Sequence, residues 1–425
     1  MNLLIRKARI VDPQSDLNGK VRDILIKNGT IEQIGQKLEN PDGKIKEYSA
    51  SNLHVSPGWF DMSAHMGEPG LEERETLATG VNAAVAGGYT HVAVLPNNDP
   101  ASDTAVAVSN LVQRGQNTSI NLHPIGTLSK GLGGEDLAEM YDMTQAGAIA
   151  FSDDLHPVKN AKFQQLAQEY ARNFDGLVFS FPMDPNIQGK GNVHEGGAST
   201  LAGLKGIPHL AEEIVVERDL SITEYTEGKL HFTGISSAGS LDRIQKARKR
   251  GLQVTCDVPV ANLVLNEDVL LKFDSNYKVM PPIRSEKDRK ALVKGIQKGQ
   301  VDAISSHHRP QNIENKACEF ESAKYGMIGL QTTFSLCRTY LEELSLDELI
   351  QVLSIGPRKV YNQNPVAIQE GQEANITLFD PDKSWTYTEK NNRSLAENSP
   401  FLGEELKGLP LGVFTKNKLV LNPEH

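Results

Sequence analysis

Cysteine is scarce in this chain: Cys256, Cys318 and Cys337 are three among 425 residues, odd in number and far apart. That excludes a disulfide framework and a Cys-x-x-Cys zinc knuckle, and makes a reducing cytoplasm the expected compartment. Long apolar runs are also missing. No stretch reaches the roughly 18 apolar residues that a membrane helix needs. No charged start leads into a hydrophobic leader, so a soluble, unprocessed chain with no membrane partner is expected. Positive charge is in deficit, with 44 Lys and Arg against 54 Asp and Glu and a formal net charge of −10. That balance opposes binding to phosphate backbones, so nucleic acid is not an expected partner. Short-period repeats and low-complexity tracts are absent as well.

What is present suits a barrel of ordinary size with one smaller unit attached. Apolar and polar residues alternate from Leu4 to Val11 and from Asp23 to Lys27, with turn signals at Asp12-Pro13 and Asn28-Gly29, a hairpin pattern. Short strands of the same kind recur at Ala374–Asp380 and Lys418–Leu421. Both termini, residues 1–56 and 364–425, are expected to share one small β-sandwich-like domain. Across 57–363, apolar strands alternate with helical stretches. The strands begin at Trp59-Phe60-Asp61 and continue through Thr90–Leu95, Ile120–Leu122, Ala148–Phe151, Leu177–Phe179, Leu230–Thr233, Gln253–Cys256 and Asp302–Ser305. Helices are expected over Phe163–Phe174, over Ser240–Arg250 closed by Gly251, and after Ser285 with Asp288 three residues on. Eight such alternations predict an α/β fold, a closed (β/α)8 TIM-type barrel, with reactive residues at the strand C-termini.

The strand ends carry a resemblance. Pro57-Gly58-Trp59-Phe60-Asp61-Met62-Ser63-Ala64-His65-Met66-Gly67-Glu68-Pro69-Gly70 resembles a motif of type I dihydroorotases of the amidohydrolase superfamily. In that family the segment reads Pro-Gly, an aspartate, His-x-His for the metals, an arginine for the substrate carboxylate, then Glu-Pro-Gly. Leu95–Pro100, Phe151–Asp154, Lys278–Ser285, Gly326–Leu330 and Asn398–Gly403 are similar to further family segments, so the resemblance runs almost end to end. It implies a role in pyrimidine biosynthesis.

Carried over residue by residue, the family's site is depleted. Ser63 and His65 fall on the His-x-His pair, Asp153 on the metal-site aspartate, and Phe181 and Gly234 on two further histidines. His307 falls on the aspartate that serves the family as general base. Of these six positions, only His65 and Asp153 keep the family residue. Asn97 matches the asparagine that touches substrate, whereas Gly67 replaces the carboxylate-gripping arginine and Met280 an asparagine. Phenylalanine and glycine offer no lone pair, and two surviving ligands are too few for a dinuclear zinc centre. Without a metal to lower the pKa of water from about 15.7 toward roughly 7, or a carboxylate to move the proton, amide hydrolysis loses its main aids.

Other residues have plain structural readings. Consecutive side chains diverge in extended backbone, so His307 and His308 are expected to point apart. His231 reads as a hydrogen-bonded core histidine, Asp153 and Asp154 as capping carboxylates, and His194-Glu195-Gly196-Gly197 as a glycine-rich turn. The run Lys246–Arg250 reads as the solvated end of a helix. The resemblance then implies an inactive dihydroorotase-like homologue with no catalytic residue and no cofactor. It would be a homo-oligomer, serving as a structural or regulatory partner of aspartate carbamoyltransferase. The alternative is a working dihydroorotase or other cyclic-amide hydrolase, with a zinc site rebuilt around His65, Asp153, His307 and His308. A small-molecule sensor built on the same pocket is a third reading.

Overall fold

Each of the eight apolar segments forms a strand in the computed structural model, which describes residues 1–40 and 43–423. They are β1 (Trp59–Ala64), β2 (Tyr89–Val94), β3 (Asn121–Gly126), β4 (Ala150–Phe151), β5 (Leu177–Ser180), β6 (Lys229–Phe232), β7 (Val254–Pro259) and β8 (Ala303–Ser305). The strands lie side by side in chain order, all parallel, with Val178 opposite Leu230 and Leu230 opposite Val254. β1 meets the end of β8 through a bridge between Ala64 and His308 and the His65 N–H to His308 carbonyl bond of 2.9 Å. The (β/α)8 barrel is therefore present and nearly closed. Parallel strands covered on both faces need apolar residues throughout, which explains why these segments read as short runs rather than as alternations. Phe60, Met62, Ala93, Leu95, Ile125, Phe179 and Ala303 fill the interior with Tyr361.

The two termini build a second sheet together, as expected. Its hydrogen-bonded order is Lys418–Leu421, Glu405–Thr415, Ile376–Thr386, His54–Pro57, Leu3–Ile10, Val21–Lys27 and Thr30–Gly35, with Lys46–Tyr48 beside Leu3–Ile10. Glu405–Thr415, 11 residues long, has no counterpart in the sequence reading. Gly408, Pro410 and Gly412 punctuate it like a loop. The sheet accommodates them through register shifts against Ile376–Thr386, between Leu378 and Phe379 and between Asp380 and Ser384.

The helices fall close to their expected places. Ala161–Arg172 and Ala238–Lys249 each begin two residues earlier than expected, because Asn160 and Ser237 supply the N-caps. Ser285 caps Glu286–Gln297, accepting the Asp288 N–H at 3.3 Å and donating to the Asp288 carboxylate at 2.5 Å. Two readings need correction. His194 ends a short strand, and Gly197 begins the helix Gly197–Ala202, so the segment is not simply a turn. Within the run Lys246–Arg250, Lys246, Lys249 and Arg250 are exposed at the helix end as expected, but Arg248 is not: it ion-pairs with Asp302 and donates to the carbonyls of Val254 and Gln300 at 2.9 Å each. The three cysteines are free thiols. Among the described residues, no helix is long and apolar enough to cross a membrane.

Deep in the barrel, Phe60 packs against His91, His123 and Tyr361, with His91 Nδ1 2.8 Å from His123 Nε2. Burial pushes His65 and His123 down to about 4, His307 to about 3 and His91 well below the ordinary range. A histidine kept neutral in the fold accepts a proton more readily when unfolded. Its contribution is therefore full above the unfolded value near 6.5 and is lost as pH falls toward the folded value, by up to about 1.4 kcal/mol per pH unit for each ring. Urea midpoints are expected to fall steadily between pH 6.5 and 4.5, with a shallower slope in His123→Asn. An equal slope in the variant would show that the His123 ring is already charged in the native protein.

Candidate functional site

The mouth of the barrel, at the C-terminal ends of its strands, collects the residues singled out from the sequence. Ser63, next to last in β1, is buried with its Oγ unpartnered. His65, just beyond, is also buried and places Nε2 3.1 Å from the Asn97 carbonyl oxygen. A carbonyl only accepts, so Nε2 carries the proton. Burial keeps the ring uncharged, leaving Nδ1 as its one available lone pair. The Asn97 side-chain oxygen is buried without a partner.

Asp153, beyond β4, is occupied. Its Oδ1 accepts the N–H groups of Leu128 at 2.8 Å and Ser129 at 3.0 Å, and its Oδ2 takes the Ser129 hydroxyl. The capping role fits, although the backbone it caps belongs to the loop after β3 rather than its own. Burial raises its carboxyl above the ordinary range despite these donors. Asp154 does not cap; it forms a buried, two-pronged ion pair with Arg309, NH1 to Oδ2 at 2.8 Å and NH2 to Oδ1. Burial alone would raise the Asp154 carboxyl, but the Arg309 charge and its hydrogen bonds hold it below the usual range.

The two adjacent histidines face different groups, although the backbone at His307 is left-handed and not extended as the expectation assumed. His308 turns away from the mouth, with Nε2 3.2 Å from Glu75 and Nδ1 accepting the N–H groups of Gly329 at 3.2 Å and Leu330 at 3.4 Å. His307 sits at φ 48°, buried within electrostatic reach of Arg309, Asp257 and Asp154. His231 is a core histidine, bonded to Thr255 Oγ1 at 2.8 Å and Asp257 at 2.9 Å.

The remaining positions carry no donor or are walled in. Phe181 and Met280 pack with Met183, Ile207 and Ala211 into an apolar cluster. Gly234 has φ +73°, and a Cβ there would lie 3.2 Å from Pro281 and 3.6 Å from the Phe181 ring. Gly67 has φ +70°, and a Cβ would lie 1.9 Å from the Glu75 carbonyl oxygen. An arginine cannot be grafted there on this backbone. Among the described residues, no three His, Cys, Asp or Glu side chains at the mouth converge as a metal-binding group.

Three contributors were not singled out from the sequence. Arg309 was legible in principle, since Ser306-His307-His308-Arg309-Pro310 sets a cation two residues past the position of the family's general base. Glu75, fully buried, gathers His308, Thr79, Ser394 and the Leu395 N–H. Asn398 clamps the loop after β8 by accepting the Gln311 N–H and donating to the Arg309 carbonyl, both at 3.0 Å. Glu75 has no local motif, and Asn398, although it opens the family-like segment Asn398–Gly403, carries no local sign of this role, because the partners of both are distant in the chain.

The strand order and the polar groups gathered at the strand ends define a (β/α)8 barrel with its candidate site at the mouth. Solved structures with this architecture include the L-hydantoinase (dihydropyrimidinase) of Arthrobacter aurescens, at TM-score 0.87 and 21% identity over 99% of this chain and 96% of the other. The dihydropyrimidinase of Brevibacillus agri has TM-score 0.83 and 19% identity, covering 99% and 95%. These identities speak for the fold alone. The sequence model described as Dihydro-orotase-like matches residues 53–240. Proteins named dihydroorotase are 36% identical in Geobacter metallireducens and 37% in Citrifermentans bemidjiense, each over 423 residues and 99% of both chains. This chain belongs to the dihydroorotase-like family of amidohydrolases.

Proposed function

We propose that the chain is a non-catalytic member of the dihydroorotase-like family, acting in pyrimidine biosynthesis as a structural or regulatory subunit. The observation that carries this reading is the donor set at the barrel mouth. Bridged divalent ions need about three or four protein donors each. Here Phe181 and Gly234 supply none, Asp153 is held by three hydrogen bonds, and the Arg309 cation is bound to Asp154. Those residues do not fit a metal pair, and His307 puts a neutral imidazole where the family uses a carboxylate base. Grip on a carboxylate substrate is also reduced, since Gly67 and Met280 make no charged or polar side-chain contact. By analogy with buried charge pairs, losing the arginine contact costs binding roughly 2–5 kcal/mol.

The resemblance suggests the partner. Inactive dihydroorotase-like chains of the kind this one resembles assemble with aspartate carbamoyltransferase, so a homo-oligomer of this chain assembled with that enzyme in the cytoplasm is the form proposed. A second reading is favoured by the names of its relatives: 34–37% identity to proteins called dihydroorotase along 99% of the chain speaks for an active dihydroorotase. That reading requires a zinc site rebuilt around His65, Asp153, His307 and His308.

One experiment separates the two. Pure protein supplied with zinc chloride is assayed for dihydroorotate hydrolysis and for the reverse cyclisation, and native-cell material is passed over a sizing column. The proposal expects no turnover above the buffer blank and co-elution with aspartate carbamoyltransferase. Zinc-dependent turnover that disappears in His65→Ala would establish the hydrolase instead. Elution apart from the carbamoyltransferase would remove the partner.

A further inference from the structure

We infer that His194, His209 and Asp288 form a divalent-cation site of the kind zinc occupies, built from none of the residues that fall on the family's ligand positions. The three come from separate pieces of chain that the fold brings together. His194 ends the strand Val193–His194, which pairs in parallel with Gly206–Ile207. His209 stands two residues past that partner strand, as the N-cap of the helix Leu210–Thr226. Asp288 lies in the first turn of Glu286–Gln297.

One ligand atom from each lies within 4.8 Å of the other two, the two rings meet edge to face at 4.7 Å, and His209 Nε2 is 2.8 Å from Asp288 Oδ2. Two imidazoles and a carboxylate with a fourth position open make a zinc donor set. Bonds of about 2.0–2.2 Å place tetrahedral ligand atoms roughly 3.3 Å apart, so the cluster must close slightly. His209 is the least buried of the three, with 37% of its side chain exposed, and is the ring free to move.

The supporting contacts are those a metal carboxylate and imidazole need. Asp288 is oriented by the Ser285 hydroxyl at 2.5 Å and the Ala238 N–H at 3.0 Å. His194 also hydrogen-bonds the Ile207 carbonyl, and with that N–H on Nδ1, beside Arg284 NH1 at 3.3 Å, the lone pair of Nε2 is kept for a cation. The Arg284 charge does not stand unbalanced beside the site: its NH2 faces Glu212 at 3.4 Å, its Nε donates to Ser236 and its NH1 to the Ile207 carbonyl.

The test uses the full chain, stripped with chelator, checked for folding by circular dichroism, and titrated with zinc chloride by calorimetry. Cobalt(II) is then substituted to read coordination from its visible spectrum. The expected result is one equivalent of zinc and a tetrahedral cobalt spectrum, both lost in His209→Ala with at least a 30-fold drop in affinity. In His209→Cys zinc returns, and cobalt shows added thiolate absorption. No zinc bound by the native protein, or equal binding by His209→Ala, overturns the site. The inference stands apart from the reading of the barrel mouth. Zinc that persists in His209→Ala and vanishes in His65→Ala counts against the metal-free mouth as well, whereas zinc that vanishes only in His209→Ala leaves that reading intact.

Discussion

Arg309→Met is expected to lower stability at pH 7 by about 3–5 kcal/mol, the cost of leaving one partner of a buried ion pair unpaired. Arg309 and Asp154 are 6% and 4% exposed, so solvent cannot replace the lost guanidinium. The deficit depends on pH with a definite sign. Without Arg309, burial acts unopposed on Asp154 and lifts its carboxyl above the unfolded value near 3.9. A group raised in the fold has its penalty in full above the folded value, and the penalty shrinks as pH falls toward the unfolded one. Denaturation midpoints of Arg309→Met and the native protein should therefore converge on acidification. Asp154→Asn added to Arg309→Met should recover much of the loss at pH 7. A constant gap between the curves from pH 7 to pH 4 would show that Asp154 is not the group left unpaired.

Gly67→Arg, which restores the family residue, is expected to destabilise the chain by more than about 4 kcal/mol and to return no grip on a carboxylate. At φ +70° the first side-chain atom meets the carbonyl of Glu75 at 1.9 Å and that of Leu71 at 2.9 Å. Both are backbone, so no rotamer relieves the contact. The charge is irrelevant to the clash, and Gly67→Ala should fail nearly as badly. Thermal melting of the three proteins decides this. A Gly67→Arg protein that melts with the native one would mean that the Gly67–Glu75 turn opens easily, and would make reversal of the lost site far simpler than the packing indicates. Gly234 also has a left-handed φ of +73°, but a Cβ there meets only side chains, Pro281 at 3.2 Å and the Phe181 ring at 3.6 Å, so the barrier to a larger residue is milder than at Gly67.

Much of the architecture was legible because local pattern and tertiary role coincide. Segments such as Thr90–Leu95 and Leu177–Phe179 are apolar because both faces of a parallel strand are buried, and the caps at Ser285 and Gly251 act within a few residues. Glu405–Thr415 was illegible because its strand is held by pairing on both sides, which overrides the turn signals of Gly408 and Pro410. At the mouth, the depleted ligand positions could be named from the sequence. The fate of the survivors could not: Asp153 is taken up by Leu128 and Ser129, and His308 by Glu75, 233 residues away.

The sequence by itself determined the eight-fold alternation, the joint terminal sheet, the membership implied by its motifs, and the absence of side-chain donors at Phe181 and Gly234, since each of these follows from residue type or short-range spacing. Only the tertiary structure decided that Arg309 neutralises Asp154 and that Gly67 admits no side chain. It alone brought His194 and His209 to Asp288. Those outcomes depend on which distant groups share a low-dielectric space, where a few ångströms set whether a charge is paired, crowded or left alone.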